Sequence, residues 1–307
     1  MKSVFKLSVF SLFCAGISLV VLASEDYRET ILKEAALRSG YLLPAEVNQP
    51  FDPKKSALGK VFFESTELSF NSNTSCSTCH LDEFSSADGL PIAIGIEGHG
   101  KGRERAMGGG SIVPRNTLAL WGRAARQFDT FFWDGKVQKT ENGIVSQFGD
   151  QVPSDDSLIV AVSLPFVEIR EMVSDDQYVQ EKLMTETVSS AEIIQSELAK
   201  RVVDVLGKGD EVQEAFGLDS PDVEFIHITR SLKNFFADKF QLGESRFSRF
   251  IAGEGELTEN EVNGGLIFFG KGKCAVCHSG PHFSDFDFHT VVFPQAGFGK
   301  NGFGVDY

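Results

Sequence analysis

The chain has 307 residues, 42% of them hydrophobic and 23% charged, with a formal net charge of −14 at pH 7. That apolar fraction can fill a real core, which excludes a disordered or collagen-like chain, and at roughly 100–200 residues per domain the length suggests two domains. The acidic balance argues against nucleic acid or an anionic membrane as partner, since both need a basic face, and suits a basic protein partner.

The first element is a leader. Lys2 and Lys6 precede an apolar run from Leu7 to Leu22, and Val21-Leu22-Ala23 offers the small residues of a cleavage site. Cleavage after Ala23 is expected, with residues 1–23 a signal peptide and the mature protein exported to the periplasm. The run is short for a span of about 20 apolar residues, and Phe13 before Cys14 does not suit a lipid anchor.

Next, Asp26 to Ser39 has helix-forming composition and stops at Gly40. Cys76-Ser77-Thr78-Cys79-His80 follows. Leu81 to Gly149 is loop-rich, with glycines around His99 and at Gly108-Gly109-Gly110, and Lys101 to Ser111 reads as a flexible surface insertion or as backbone passing close to a flat cofactor. Gly95-Ile96-Glu97-Gly98-His99-Gly100 lacks the spacing and preceding strand of a dinucleotide site. Val160-Ala161-Val162 is a candidate short strand. Ser189 with Glu192 predicts a helix through Leu206, ended by Gly207. Ser220-Pro221 predicts an N-cap and first turn for a helix to about Phe240, with Ile228, Leu232, Phe235 and Phe236 on one face. Thr258 and Glu261 box a further helix that stops at Gly270, just before Cys274-Ala275-Val276-Cys277-His278. No alternating run is long enough to found a sheet. The expected fold is mainly α, in two cytochrome c-type haem domains with long loops.

The two C-x-x-C-H copies carry the chemistry. Each places two thiols, Cys76 and Cys79 or Cys274 and Cys277, to add across the vinyl groups of one haem, and the adjacent His80 or His278 reaches the iron. A four-cysteine zinc site or two redox disulfides would leave both histidines unexplained. Two covalently bound haem c groups are expected. The 28 Phe, against four Tyr and two Trp, suit apolar walls and ordinary core.

Taken in order, the blocks Leu58-Gly59-Lys60-Val61-Phe62-Phe63, Pro114-Arg115-Asn116, Phe132-Trp133-Asp134-Gly135-Lys136, Pro165 with Glu171-Met172, and Phe268-Phe269 before the second haem motif resemble the bacterial di-haem cytochrome c peroxidase family, which includes MauG-like enzymes. The resemblance implies an N-terminal peroxidatic haem domain over 24–176 and a C-terminal electron-transfer haem domain over 177–307. It implies that Glu171 is the catalytic acid–base, with Phe166, Val167, Ile169 and Met172 favouring its neutral form; on its own, the residue would read as a surface glutamate paired with Arg170. Trp133 would conduct electrons between the haems, Asn116 would bind a calcium ion, and His99 would be a removable distal ligand of the first haem. The stretch from Lys101 to Val113 reads as an insertion relative to the family. Relatives continue beyond Tyr307, and no methionine follows Met184 to ligate the second haem, so this is expected to be a C-terminally short member. The implied function is reduction of hydrogen peroxide to water with electrons from a small cytochrome c or copper protein, with no nucleic acid partner and a homodimer allowed. The alternatives are a MauG-like enzyme oxidising side chains of a partner protein, or a di-haem electron carrier.

Overall fold

Asp52 and a proline in the first turn start a 12-residue helix of the N-terminal region, and similar local signals set most of the elements. The computed structural model describes residues 27–148, 152–173 and 188–290, with short pieces at 298–299 and 302–303. The expected signal peptide, the Ser189 cap side chain and Met184 lie outside the described residues.

Helix α1 covers residues 27–38 and closes at Gly40, whose φ of +80° lets the Tyr41 N–H bond back to the Ala36 carbonyl at 3.1 Å. After the single turn α2 (Pro44–Val47), α3 (Pro53–Glu64) starts on Asp52, whose side chain accepts from the Lys54 and Lys55 N–H groups. The turn α4 (Cys76–Cys79) holds the first haem motif, and α5 (Arg103–Met107) sits inside the glycine-rich loop. Strands β1 (Thr130–Phe131), β2 (Val137–Thr140) and β3 (Gly143–Val145) pair antiparallel in that order, with Thr130 opposite Gln138 and Lys139 opposite Ile144. Helices α6 (Ser157–Ser163), α7 (Val188–Asp204), α8 (Gly209–Phe216), α9 (Phe225–Lys239), α10 (Arg246–Ala252) and α11 (Glu259–Leu266) complete a mainly α chain.

Three local expectations are corrected. Val160-Ala161-Val162 is helical, because Asp156 caps α6 by accepting from the Leu158 and Ile159 N–H groups and every residue of that helix is buried. Helix α9 starts at Phe225 rather than Pro221; the Glu224 N–H is capped by His227 Nδ1 at 2.9 Å. The small β1–β2–β3 sheet has strands too short to show alternation in sequence.

The described residues fall into two compact units, one combining 27–47 with Gly243–Asp287 and the other Asn48–Leu242 with the described residues from Phe288 on. Helix α9 belongs with the residues before it because its Ile228, Leu232, Phe235 and Phe236 share one core with Leu58, Phe62 and Phe63 of α3. Gly59 makes this approach close: a Cβ there would stand 2.1 Å from the Ser231 carbonyl oxygen. In the other unit Leu32, Phe250 and Val262 form a smaller core, flanked by Phe247, Leu257 and Phe269.

Candidate functional site

The Asn48–Leu242 unit encloses a cavity of about 610 Å³, within the ordinary range of roughly 300–1,000 Å³ for ligand sites. Cys76, Cys79, His80, Asn116, Trp133 and Glu171 all line it, so residues far apart in sequence meet at one place.

The first motif is built on one turn. The His80 N–H bonds to the Cys76 carbonyl at 2.9 Å, and the Ser75 N–H donates to Thr78 Oγ1 at 3.0 Å. His80 Nδ1 lies 2.8 Å from the Ser86 carbonyl oxygen. A carbonyl can only accept, so Nδ1 carries the proton and Nε2 is left with its lone pair, the tautomer a metal-binding histidine needs. Burial holds the His80 pKa below its ordinary value, which also keeps that nitrogen unprotonated. Both cysteines are free of disulfides. Burial, first of all, pushes the Cys76 thiol up to about 12 and the Cys79 thiol to about 11. Both side chains are therefore protonated thiols at neutral pH.

Glu171 sits in a tight turn after Pro165–Val167. The Glu168 carbonyl accepts from the N–H groups of Glu171, Met172 and Val173, at 3.2–3.3 Å. The preceding Arg170 takes a φ of +74°, and its carbonyl accepts the Ile96 N–H at 3.0 Å. Gly95 lets these strands of backbone meet, since a Cβ there would lie 1.7 Å from the Arg170 oxygen. Burial, reinforced by the negative charge of Glu168 and opposed by Lys136, raises the Glu171 carboxyl to about 7. A carboxyl poised there can both give and take a proton near neutral pH. Lys136 Nζ pairs with Glu168 Oε1 at 2.9 Å. Burial disfavours the Lys136 ammonium, yet Glu168, with Glu171 and Asp134, holds its pKa above the ordinary value.

Trp133 is carried on the tight connection between β1 and β2, where Phe132 (φ +65°) and Gly135 (φ +67°) turn the chain. The Arg115 guanidinium lies 3.6 Å from the centre of its ring. Arg123 also lines the cavity and is held down to about 10 by burial. Asn116 donates through Nδ2 to the Leu90 carbonyl. Calcium takes six to eight oxygens. Among the described residues, no three His, Cys, Asp or Glu ligand atoms converge at Asn116.

His99 does not join the cavity; it is exposed and absent from the lining. Arg105, only 3% exposed, donates to the carbonyls of Ile94 (2.7 Å), Gly95 (2.5 Å) and Gly98 (2.7 Å). The loop thereby folds back on its own backbone and leaves His99 exposed, outside the lining of the His80 cavity. The same contacts make the stretch around Arg103–Met107 a structured element rather than a loose insertion.

The second motif repeats the first. The His278 N–H bonds to the Cys274 carbonyl at 2.9 Å, and His278 Nδ1 donates to the Phe283 carbonyl at 3.0 Å, again leaving Nε2 open. Phe63 lies 6.3 Å from the His80 ring, and Phe268 lies 6.5 Å from the His278 ring. Both motifs follow a Gly-x-x-Phe-Phe helix end, Gly59 to Phe63 and Gly265 to Phe269, an internal repeat that could have been found by aligning the two halves. Cys274 and His278 are exposed.

A porphyrin matches this chemistry in the first site: a cavity of suitable size, two unpaired thiols, and a histidine nitrogen oriented by a carbonyl. The family model described as Di-haem cytochrome c peroxidase matches residues 53–256. The chain belongs to the di-haem cytochrome c peroxidase family. Among relatives of the family, methylamine utilization protein MauG of Methylorubrum extorquens is 27% identical over 283 residues, covering 91% of this chain and 64% of that protein. Cytochrome c551 peroxidase of Pseudomonas aeruginosa is 24% identical, covering 81% of this chain and 58% of that one. The solved diheme peroxidase BthA of Burkholderia thailandensis superposes with a TM-score of 0.51 at 18% identity, over 83% of this chain and 58% of that one, which shows a shared fold. The chain spans between about half and 70% of the length of these curated relatives.

Proposed function

We propose that this protein is a periplasmic di-haem c peroxidase that reduces hydrogen peroxide to water with electrons delivered by a small cytochrome c or copper protein. The observation that carries it is the meeting of Cys76, Cys79, His80, Trp133 and Glu171 on one cavity, with the Glu171 carboxyl raised to about 7. In this reading Cys76 and Cys79 anchor the first haem, His80 Nε2 ligates its iron, and Cys274, Cys277 and His278 do the same for the second. Bound haem supplies an iron that accepts peroxide and passes electrons.

The chain's own residues do the rest. Glu171 is placed to take a proton from one oxygen of hydrogen peroxide and return it to the other, which would help the O–O bond open toward water. Its setting against Phe166 and Met172, both buried, favours the neutral acid that must make this donation. Trp133, clamped by Arg115, offers an aromatic path by which electrons enter the cavity. Overall, one peroxide, two electrons and two protons give two waters.

A second reading, oxidation of side chains on a partner protein as the name of the MauG relatives suggests, is favoured by the exposure of His99, which leaves the first haem without that histidine. Spectra of the oxidised holo-protein separate the two. His99→Ala leaves the first haem's spectrum unchanged if that residue is not a ligand. Steady-state peroxide turnover tests the lead reading. Glu171→Gln is expected to lose about 100-fold or more, and turnover at the wild-type rate would remove Glu171 from the chemistry. A holo-protein whose two haems are inert to peroxide in every redox state would select an electron carrier.

A further inference from the structure

Glu171 shares its cavity with a second carboxylate and a lysine that the mechanism above does not use. Lys136 Nζ lies 2.9 Å from Glu168 Oε1, and all three residues line the same space. Lys136 is fixed from behind, its N–H donating to Asp134 Oδ1 at 3.1 Å. Glu168 stands one turn before Glu171, with its carbonyl receiving the Glu171 N–H at 3.3 Å. Arg115, Arg123 and Arg170 also line the cavity, Arg170 on the turn directly before Glu171. Arg115 lies over Trp133, while Arg123 donates to the Ala119 carbonyl at 3.0 Å and covers Phe128 at 4.5 Å. The Cys76 and Cys79 thiols are neutral. Of these cations Lys136 is the one whose charge favours the Glu171 carboxylate, and its ion-pair partner is Glu168.

An ammonium next to an acid that must hold a proton is a hazard, because the pair would lock the acid as a carboxylate. We propose that Glu168 is a positioning residue: its ion pair with Lys136 draws the ammonium away from Glu171, so that Glu171 stays available to hold and pass a proton. This rests on the reading of Glu171 as the acid–base group. With Glu168 neutralised, Lys136 has Glu171 and Asp134 as the remaining cavity carboxylates, and Asp134 Oδ1 already accepts the Lys136 N–H.

The test is an infrared pH titration of the holo-protein, following the protonated-carboxyl band that disappears in Glu171→Gln. Glu168→Gln is expected to move the midpoint of that band to lower pH by roughly one unit, the size of a single charge effect. Glu168→Asp keeps the charge and should hold the midpoint near wild type. Removing the cation as well, in Glu168→Gln/Lys136→Met, should return most of the shift. An unmoved or raised midpoint in Glu168→Gln, or the same displacement in Glu168→Asp, would overturn the proposal. If instead Glu171→Gln turns over peroxide at the wild-type rate, the acid–base reading fails while the titration still reports on Glu168.

Discussion

Replacing Gly59 by alanine tests how α3 and α9 are held together, and the coordinates set the size of the effect. On an open helix surface the change would stabilise by about 1 kcal/mol, the propensity difference between the two residues. Here the new Cβ would lie 2.1 Å from the Ser231 carbonyl oxygen, 2.6 Å from its carbon and 2.7 Å from Phe235 Cβ. The oxygen and carbon belong to the backbone of α9, so no rotamer relieves the overlap, and the helices must separate by about 1 Å against a close-packed core, at a cost in the upper part of the overpacking range, about 2–3 kcal/mol. The net expectation is a loss of about 1–2 kcal/mol, or a Tm drop of roughly 2–8 °C for a unit of 150–250 residues. Gly265 occupies the equivalent place before the second motif but meets only the Leu32 side chain, with its Cδ1 at 2.6 Å. Leu32 can rotate, and the propensity gain offsets part of the strain, so Gly265→Ala should be nearly neutral. Thermal denaturation of the two variants checks both values. A Gly59→Ala protein as stable as wild type, or a Gly265→Ala protein that is the more damaged, would refute the close-contact account.

The raised Glu171 carboxyl makes stability depend on pH. Its ordinary value is 4.5 and its folded value about 7, so the folded state binds the proton more tightly than the unfolded chain. Stability should therefore fall as pH rises from about 4.5 to 7 and level off above, by at most about 3 kcal/mol; Glu171→Gln should flatten that fall in denaturant titrations at pH 5 and 8. Arg105→Ala leaves three carbonyls without their guanidinium donor, so limited proteolysis should cut between Ile94 and Gly108 several-fold faster, and unchanged cleavage would deny Arg105 its role in folding the loop. Asp52→Ala removes the acceptor for the Lys54 and Lys55 N–H groups and should cost about 1 kcal/mol in equilibrium unfolding.

Much of the chemistry was legible in the residues themselves. Two C-x-x-C-H motifs are local, because five consecutive residues form one turn that places both thiols and the histidine, and the structure repeats that turn at His80 and His278. Helix starts written as short-range side-chain bonds, such as Thr258 with Glu261, were equally readable, since capping depends on three neighbouring positions. Where burial overrode local preference, sequence reading failed. Val160 and Val162 are β-branched but lie in a fully buried helix, and α9 joins the Asn48–Leu242 unit because its apolar face fits α3 and not because of any boundary signal. The raised pKa of Glu171 and its Lys136–Glu168 neighbours depend on cavity walls drawn from widely separated stretches of chain. His99 shows the converse: its Gly-His-Gly surroundings fit a ligand loop, yet Arg105, six residues on, binds that loop's carbonyls and turns the histidine outward. Covalent attachment points are thus a property of consecutive residues, whereas the proton and charge environment around them exists only once distant segments exclude water together.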